Sequence, residues 1–267
     1  MTMKKFELTT ETKVFNDITL YRIKALKDFG SIKKGDIGGW IEKENNLSQE
    51  NNCWVCGDAR VYGDAQVSGN ARVYGHAQVY GHAQVSDNAQ VSDNVWVYGD
   101  AQVSDNAWVY GDARVYDDAR VYGNARVSDN AQVSDNAWVY GDAQVYGNAW
   151  VYGDAWVYGD ARVYGNAWVY GDAWVYGHAR VYGHAQVSDN AWEHSPLQIQ
   201  GTAHFVTMSA YGYLNIGCLK HTLQEWKKMY HEIGASYNYT PEQIQEYKLY
   251  IDLAIKLDKI ITKTPTP

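Results

Sequence analysis

The sequence predicts an all-β solenoid: a left-handed parallel β-helix of about eight three-hexad coils, with a small N-terminal β cap and a C-terminal α+β cap. Three observations predict it. From Gly57 to Ser188 twenty-two hexads of the form [Gly/Asp]-[Asp/Asn/His]-Ala-[Arg/Gln/Trp]-Val-[Tyr/Ser] follow one another without an insertion. Their third residue is Ala in every hexad but the one holding Val95, and their fifth is always Val. All Lys and Glu lie outside this stretch, so composition breaks at both of its ends. The chain divides accordingly into residues 1–50, 51–194 and 195–267.

The N-terminal segment holds short alternating runs, Lys5 to Thr9 and Leu20 to Leu26, followed by a turn-rich stretch from Lys34 to Glu42, which reads as a small β cap. In the repeat, apolar residues two apart within a period of six describe a short strand whose third and fifth residues face one side, followed by a two-residue corner. A helical period would scatter Ala and Val around the whole surface, and β-branched Val with Gly in most hexads opposes helix energetically. Degraded hexads at Asn51–Cys56 and Asp189–His194 bring the count to twenty-four, or eight coils stacked at roughly 4.8 Å in a prism about 38 Å long. Val fills the inside, and Ala leaves room at the corner.

Corner chemistry is coupled. Ser at position six precedes Asp in six of seven cases, and Tyr precedes Gly in fourteen of fifteen. One reading is two corner types, Gly supplying a positive φ and Asp tolerating a left-handed conformation by bonding its own backbone; the other is duplication of copied blocks. Beyond Pro196, the runs Leu197–Gln200, His204–Met208 and Leu214–Cys218 read as strands. A helix then starts at the capping box Thr222–Glu225 and a second at Thr240-Pro241, with Ile244, Tyr247, Ile251, Ala254 and Leu257 on one face. The segment from Thr262 to Pro267 reads as a frayed tail.

Charge narrows the function classes. The full chain carries −8, while residues 57–192 hold sixteen Asp, seven Arg and no Lys or Glu, so the acidity belongs to the repeat. Such a field repels nucleic-acid backbones and attracts basic partners, so no direct nucleic-acid binding is expected. The opening residues, from Met1 to Phe6, lack an apolar run after their lysines, and no stretch has the length of a membrane helix; the expected location is cytoplasmic, and no membrane partner is expected. Three cysteines do not make a disulfide framework. Cys53 and Cys56 have a metal-like spacing, but the hexad frame turns Cys53 inward and Cys56 outward, and Cys218 alone remains as a further thiol, so no metal site is expected.

His76, His82, His178 and His184 all occupy the corner position shared with Asp and Asn, which makes them corner residues without the pocket or orienting partner a general base needs. His194, His204 and His221 near the C-terminal cap are the better candidates, and no catalytic residue is assigned. Sorting position four by threes separates one prism face: Gln66, Gln84, Gln102, Arg120, Trp138, Trp156, Trp174, Trp192, with position six changing from Ser to Tyr122, Tyr140, Tyr158 and Tyr176. Asp118, Asp154 and Asp172, with Asn136 and Asn190, border it as an acidic edge. Ladders of this kind stabilise coils by self-stacking, and an exposed apolar patch of this size also marks a contact site. The expected binding surface is this aromatic face with its edge.

The hexad register, with Val preceded two residues earlier by Ala, resembles the left-handed β-helix superfamily of hexapeptide-repeat proteins over about half of the chain. The stretches Leu20–Phe29, Gly35–Glu42 and Asn46–Val55 resemble uncharacterised bacterial and phage-associated members often labelled putative transferases. The best-known members are trimeric acyltransferases that bind an acyl-coenzyme A between neighbouring prisms and use a catalytic His, commonly with a protruding loop, which this sequence lacks.

Three functions follow as expectations. The first is a non-enzymatic protein presenting a rigid surface to a protein partner or to itself as a dimer or trimer, for instance a phage- or prophage-encoded inhibitor of a host nucleic-acid-acting or defence enzyme, needing no cofactor. The second is an acyltransferase using acetyl-coenzyme A. The third is a self-assembling scaffold built of stacked prisms.

Overall fold

The computed structural model describes residues 3–262, so Met1, Thr2 and the predicted tail beyond Thr262 lie outside the described residues. The repeat forms a parallel β-solenoid of about eight coils. Each hexad contributes a strand of two or three residues, and strands eighteen residues apart pair in parallel register, as Gln90 does with Trp108 and Val91 with Val109. Three faces result. The first carries the strands that start at Trp54, Arg72 and so on to Arg180; the second runs from Arg60 to Gln186, and the third from Gln66 to the strand Ala191–Trp192.

Inside, the hexad Ala and Val side chains from Ala59 to Val187 are buried in one continuous core, including Val95 at an Ala position. Outside, the first corner residue always sits in the left-handed region. Asp87, Asp93, Asp105, Asp117, Asp129 and Asp135 have φ between 55° and 60°, and glycines such as Gly123 reach 70°. There is thus one corner geometry with two chemistries. Asp carries a function that Gly cannot: the Oδ2 atoms of Asp93, Asp105, Asp129 and Asp135 accept the backbone N–H of the glycine one coil further on, at 3.0–3.1 Å. Ser86 and Ser92 donate their hydroxyls to the following Asp at 3.1 Å, a bond that serves two of the six Ser–Asp corners.

The second corner position builds ladders. Asn52, Asn70, Asn88, Asn106 and Asn124 each donate a side-chain N–H to the next coil at 3.0–3.2 Å, and the run ends on the Asp142 carboxylate.

The N-terminal cap is continuous with the second face. β1 (Phe6–Phe15) and β2 (Ile18–Ala25) form an antiparallel hairpin, and β3 (Ile37–Ile41) pairs antiparallel with β2 and parallel with the strand at Arg60. Leu47 bridges to Val67, so the chain already follows the coil path before residue 51. Buried Asn46 turns that first corner, donating to the carbonyls of Gly63 and Ala65 and accepting from the Lys43 N–H.

At the other end, strands Gln198–Gln200, Phe205–Ala210, Tyr213–Ile216 and Leu219–Thr222 form an antiparallel sheet, backed by α1 (Leu223–Ser236) and α2 (Pro241–Ile261). Both helices start where expected, α1 at the Thr222–Glu225 capping box and α2 at Thr240-Pro241, where Thr240 also forms a capping box with Gln243. The cap supplies partners to the last coil, whose edge amides would otherwise be free: Ser195 Oγ accepts from Arg180 N at 2.9 Å and Gln198 Oε1 from Tyr182 N at 2.8 Å.

Candidate functional site

In-register stacking repeats identical side chains at the coil spacing, so the sequence pattern of the third face becomes a pair of ring columns. Trp138, Trp156 and Trp174 stack with centroids 4.9 and 5.1 Å apart and planes within 9° of parallel. Beside them Tyr122, Tyr140, Tyr158 and Tyr176 stack at 4.9, 4.9 and 5.1 Å. The columns interlock edge to face, Tyr122 against Trp138 at 6.0 Å and Tyr140 against Trp156 at 6.3 Å. Arg120 lies over the Trp138 ring, 4.9 Å from its centroid, and closes the tryptophan column at its N-terminal end.

Such contacts are worth roughly 0.5–1.5 kcal/mol per pair beyond the area they bury. Burial against neighbouring rings, and then the phenols of Tyr122 and Tyr158, push the Tyr140 hydroxyl up to about 12. The rings stay half-buried, with Trp174 the most open at 43% exposure. Asp118, Asp154 and Asp172 are exposed along the neighbouring corner, Asp154 accepting from Asn136 at 2.9 Å.

Trp192 does not join this face. It is 3% exposed and pairs with Val175, while Ala191 pairs with Trp174. The cause is local: Asp189 and Asn190 both take positive φ, 50° and 59°, where other corners use one such residue. The strand slips by one position, and a one-residue slip turns every side chain to the opposite face. Trp192 thereby closes the core, its ring edge-on to Tyr211 at 5.3 Å and its Nε1–H donated to Asp189 O at 3.2 Å. Glu193, which stands where the hexad wants Val, is left exposed.

Aromatic stacking is also broader than position four of one face suggests. Tyr62, Tyr80, Tyr98 and Tyr116 stack at 5.0 Å on the second face, and Tyr146, Tyr164 and Tyr182 at 4.9 and 5.5 Å on the first. Trp96, Trp108 and Trp168 are exposed on those faces. What sets the third face apart is its three parallel tryptophans in unbroken contact.

A groove of about 660 Å³, which the sequence pattern does not announce, lies where the second face meets the C-terminal cap. Asn148, Asn166 and His184 from one corner column, Trp168 and Gln186 from the face, and His204 and Cys218 from the cap line it. The His204 ring contacts the Tyr239 hydroxyl through Nδ1. Tyr247 Oη fixes the same segment, accepting from Ala203 N at 3.0 Å and His204 N at 2.5 Å and donating to His204 O at 2.9 Å. Of the remaining histidines, His76, His82 and His178 stand exposed 3.4–3.9 Å from the Asp one coil earlier, His194 is exposed, and His221 rests edge-on against Trp226. Cys53 is buried in the core, and Cys56 is partly buried and packs against the same core.

Comparison with known proteins fits this geometry. The family description "YdcK Beta solenoid repeat" matches residues 65–81, 83–99, 101–117, 113–129, 119–132, 131–144, 143–159, 161–177 and 179–195. The chain is also similar to a protein of Escherichia coli (strain K12) named "Uncharacterized acetyltransferase YdcK", with 36% identity over 61 residues. That alignment covers 20% of this chain and 19% of the relative's length.

Proposed function

We propose that this chain, a hexapeptide-repeat β-solenoid protein, serves as a rigid binding surface for a protein partner, docked on the third face. The observation that carries the reading is the unbroken Trp138–Trp156–Trp174 column with its parallel tyrosine column. Large aromatic rings held by neighbours lose little conformational freedom on binding, which is why such rings anchor interfaces. The acidic corner beside them selects a basic partner surface, and an enzyme with a cleft built for nucleic acid is the class this charge fits best. Attachment of that kind weakens with salt.

The test is capture of partners from a bacterial lysate by the full chain and by the Trp156→Ser/Trp174→Ser variant, at low and high salt, with circular dichroism as the check on folding. Selective, salt-sensitive capture of a basic protein by the native chain alone is the expected result. Equal capture by a folded double variant refutes the third face as the docking surface.

The groove at the C-terminal cap favours a second reading, acyl transfer, because His184 and His204 both line it and the E. coli relative is named an acetyltransferase. Its lining residues include no Lys or Arg to meet the phosphates of acetyl-coenzyme A, so this reading ranks second. Calorimetric titration with acetyl-coenzyme A tests it, and the absence of heat and of competition at the groove removes it.

A further inference from the structure

The tyrosine column of the first face is interrupted at Ser128, which stands between Tyr110 and Tyr146 in successive coils. Two coil steps, roughly 9.6 Å, separate the backbone positions that carry the flanking rings. A planar ring placed between them would lie roughly 4.8 Å from each, inside the range in which aromatic rings stack. The spacing from Tyr146 to Tyr164 in the same column is 4.9 Å, with the planes 1° apart. A cavity of about 220 Å³ occupies this position, lined by Tyr110, Arg126, Ser128, Asp129, Gln144 and Tyr146.

The same interruption occurs at Ser92 and Ser134, where the preceding tyrosine bonds a glutamine sixteen residues on, as Tyr62 bonds Gln78 within an unbroken stack. Tyr74 donates to Gln90 Oε1 at 3.5 Å and Tyr116 to Gln132 Oε1 at 3.4 Å. For Tyr110 the equivalent position holds Arg126, which has no acceptor to offer a phenol. Tyr110 instead tilts against Trp108 at 5.1 Å and 46°. Arginine at 126 therefore leaves Tyr110 without that glutamine acceptor and places a donor fork beside the gap instead.

The rim around the cavity also selects its ligand. Arg126 offers a donor fork, Gln144 both a donor and an acceptor, and Asp129 a carboxylate whose Oδ2 already accepts from Gly147 N at 3.0 Å. A plain phenyl ring would waste these groups. A guanine-type base matches them, with O6 and N7 as acceptors facing an arginine and ring-edge N–H groups facing a carboxylate. The net negative charge of the repeat disfavours appended phosphates.

We infer that the Ser128 gap binds a single guanine-type base carried by a nucleoside, sandwiched between Tyr110 and Tyr146. This site is independent of the third face. The probe is guanosine, titrated into the full chain by calorimetry and ligand-observed NMR. Saturable binding to the native chain is expected, with affinity reduced at least tenfold by Ser128→Tyr, which supplies the missing ring from the chain itself. Tyr followed by Asp is already accommodated at Tyr116–Asp117, so this substitution follows a precedent within the repeat. Arg126→Gln, which removes the donor fork from the rim, should weaken binding in the same direction. No saturable binding by the native chain, or unchanged affinity in both folded variants, overturns the inference.

Discussion

Asp105 occupies a left-handed corner at φ 56°, and its Oδ2 accepts the Gly123 N–H at 3.0 Å. Two costs meet at this residue, and substitutions can separate them. Asp105→Ala removes the hydrogen bond, on the order of 1 kcal/mol at an exposed site, and keeps a side chain in a conformation that costs an ordinary L-residue roughly 1–2 kcal/mol. Asp itself bears less of that second cost, so the alanine variant should lose about 2 kcal/mol. Asp105→Gly loses the same bond but relieves the backbone, at roughly 0.5–1 kcal/mol of extra chain entropy, and should fall within about 1 kcal/mol of the native chain. Asp105→Asn keeps an acceptor and should be the mildest of the three. Urea unfolding ranks the variants, and hydrogen exchange at Gly123 reads the bond directly: exchange should accelerate in both the Gly and Ala variants, whereas only Ala should lower the unfolding midpoint clearly. Equal midpoints for Gly and Ala would show that φ is not what the corner selects for, and unchanged Gly123 exchange would show that the carboxylate does not hold the next coil.

Alkaline titration provides another check. Burial, and then neighbouring phenols, hold Tyr62 and Tyr140 up at about 12 against an ordinary value of 10.0. Between those values the folded chain binds more protons than the unfolded one, so stability is intact below pH 10 and falls as pH rises toward 12; tyrosinate absorbance should appear late and together with unfolding, and independent early ionisation of all tyrosines would contradict the stacked columns. Tyr247→Phe strips the acceptor from two backbone N–H groups, at roughly 1–3 kcal/mol if both stay dry. Its effect should be confined to the C-terminal cap, seen as faster exchange at Ala203 and His204 with the solenoid amides unchanged.

Much of this architecture was legible because a strict repeat makes every coil a copy of the same solution. Ala137 and Val139 announce their inward positions by alternation alone, and the capping side chains of Thr222 and Thr240 mark both helix starts. Position four foretold the tryptophan column, since paired strands eighteen residues apart leave the rings no choice of neighbour. Trp192 failed because its hexad is degenerate: two left-handed residues shift the frame, and the signal was Glu193 standing at a valine position. The groove at the C-terminal cap was hidden because it joins residues from a corner column to a sheet that has no repeat and therefore no register to read. The arginine that distinguishes Ser128 from Ser92 and Ser134 is visible in the sequence, but its place on the rim of a cavity is not.

The eighteen-residue pairing period also makes the chain an angular counter. Each hexad turns the path by a third of a revolution, and each coil adds a step of roughly 4.8 Å along the axis. Deleting eighteen residues would shorten the prism by one such step and leave the two caps facing the same directions, with every ladder rejoined to a residue of its own column. Deleting six would swing the whole C-terminal cap around the axis and put tryptophans above arginines, asparagines above histidines and the groove over a different face. The solenoid can thus change length freely while the bearing of one end relative to the other is quantised, and that bearing decides which surfaces a partner meets on the same side.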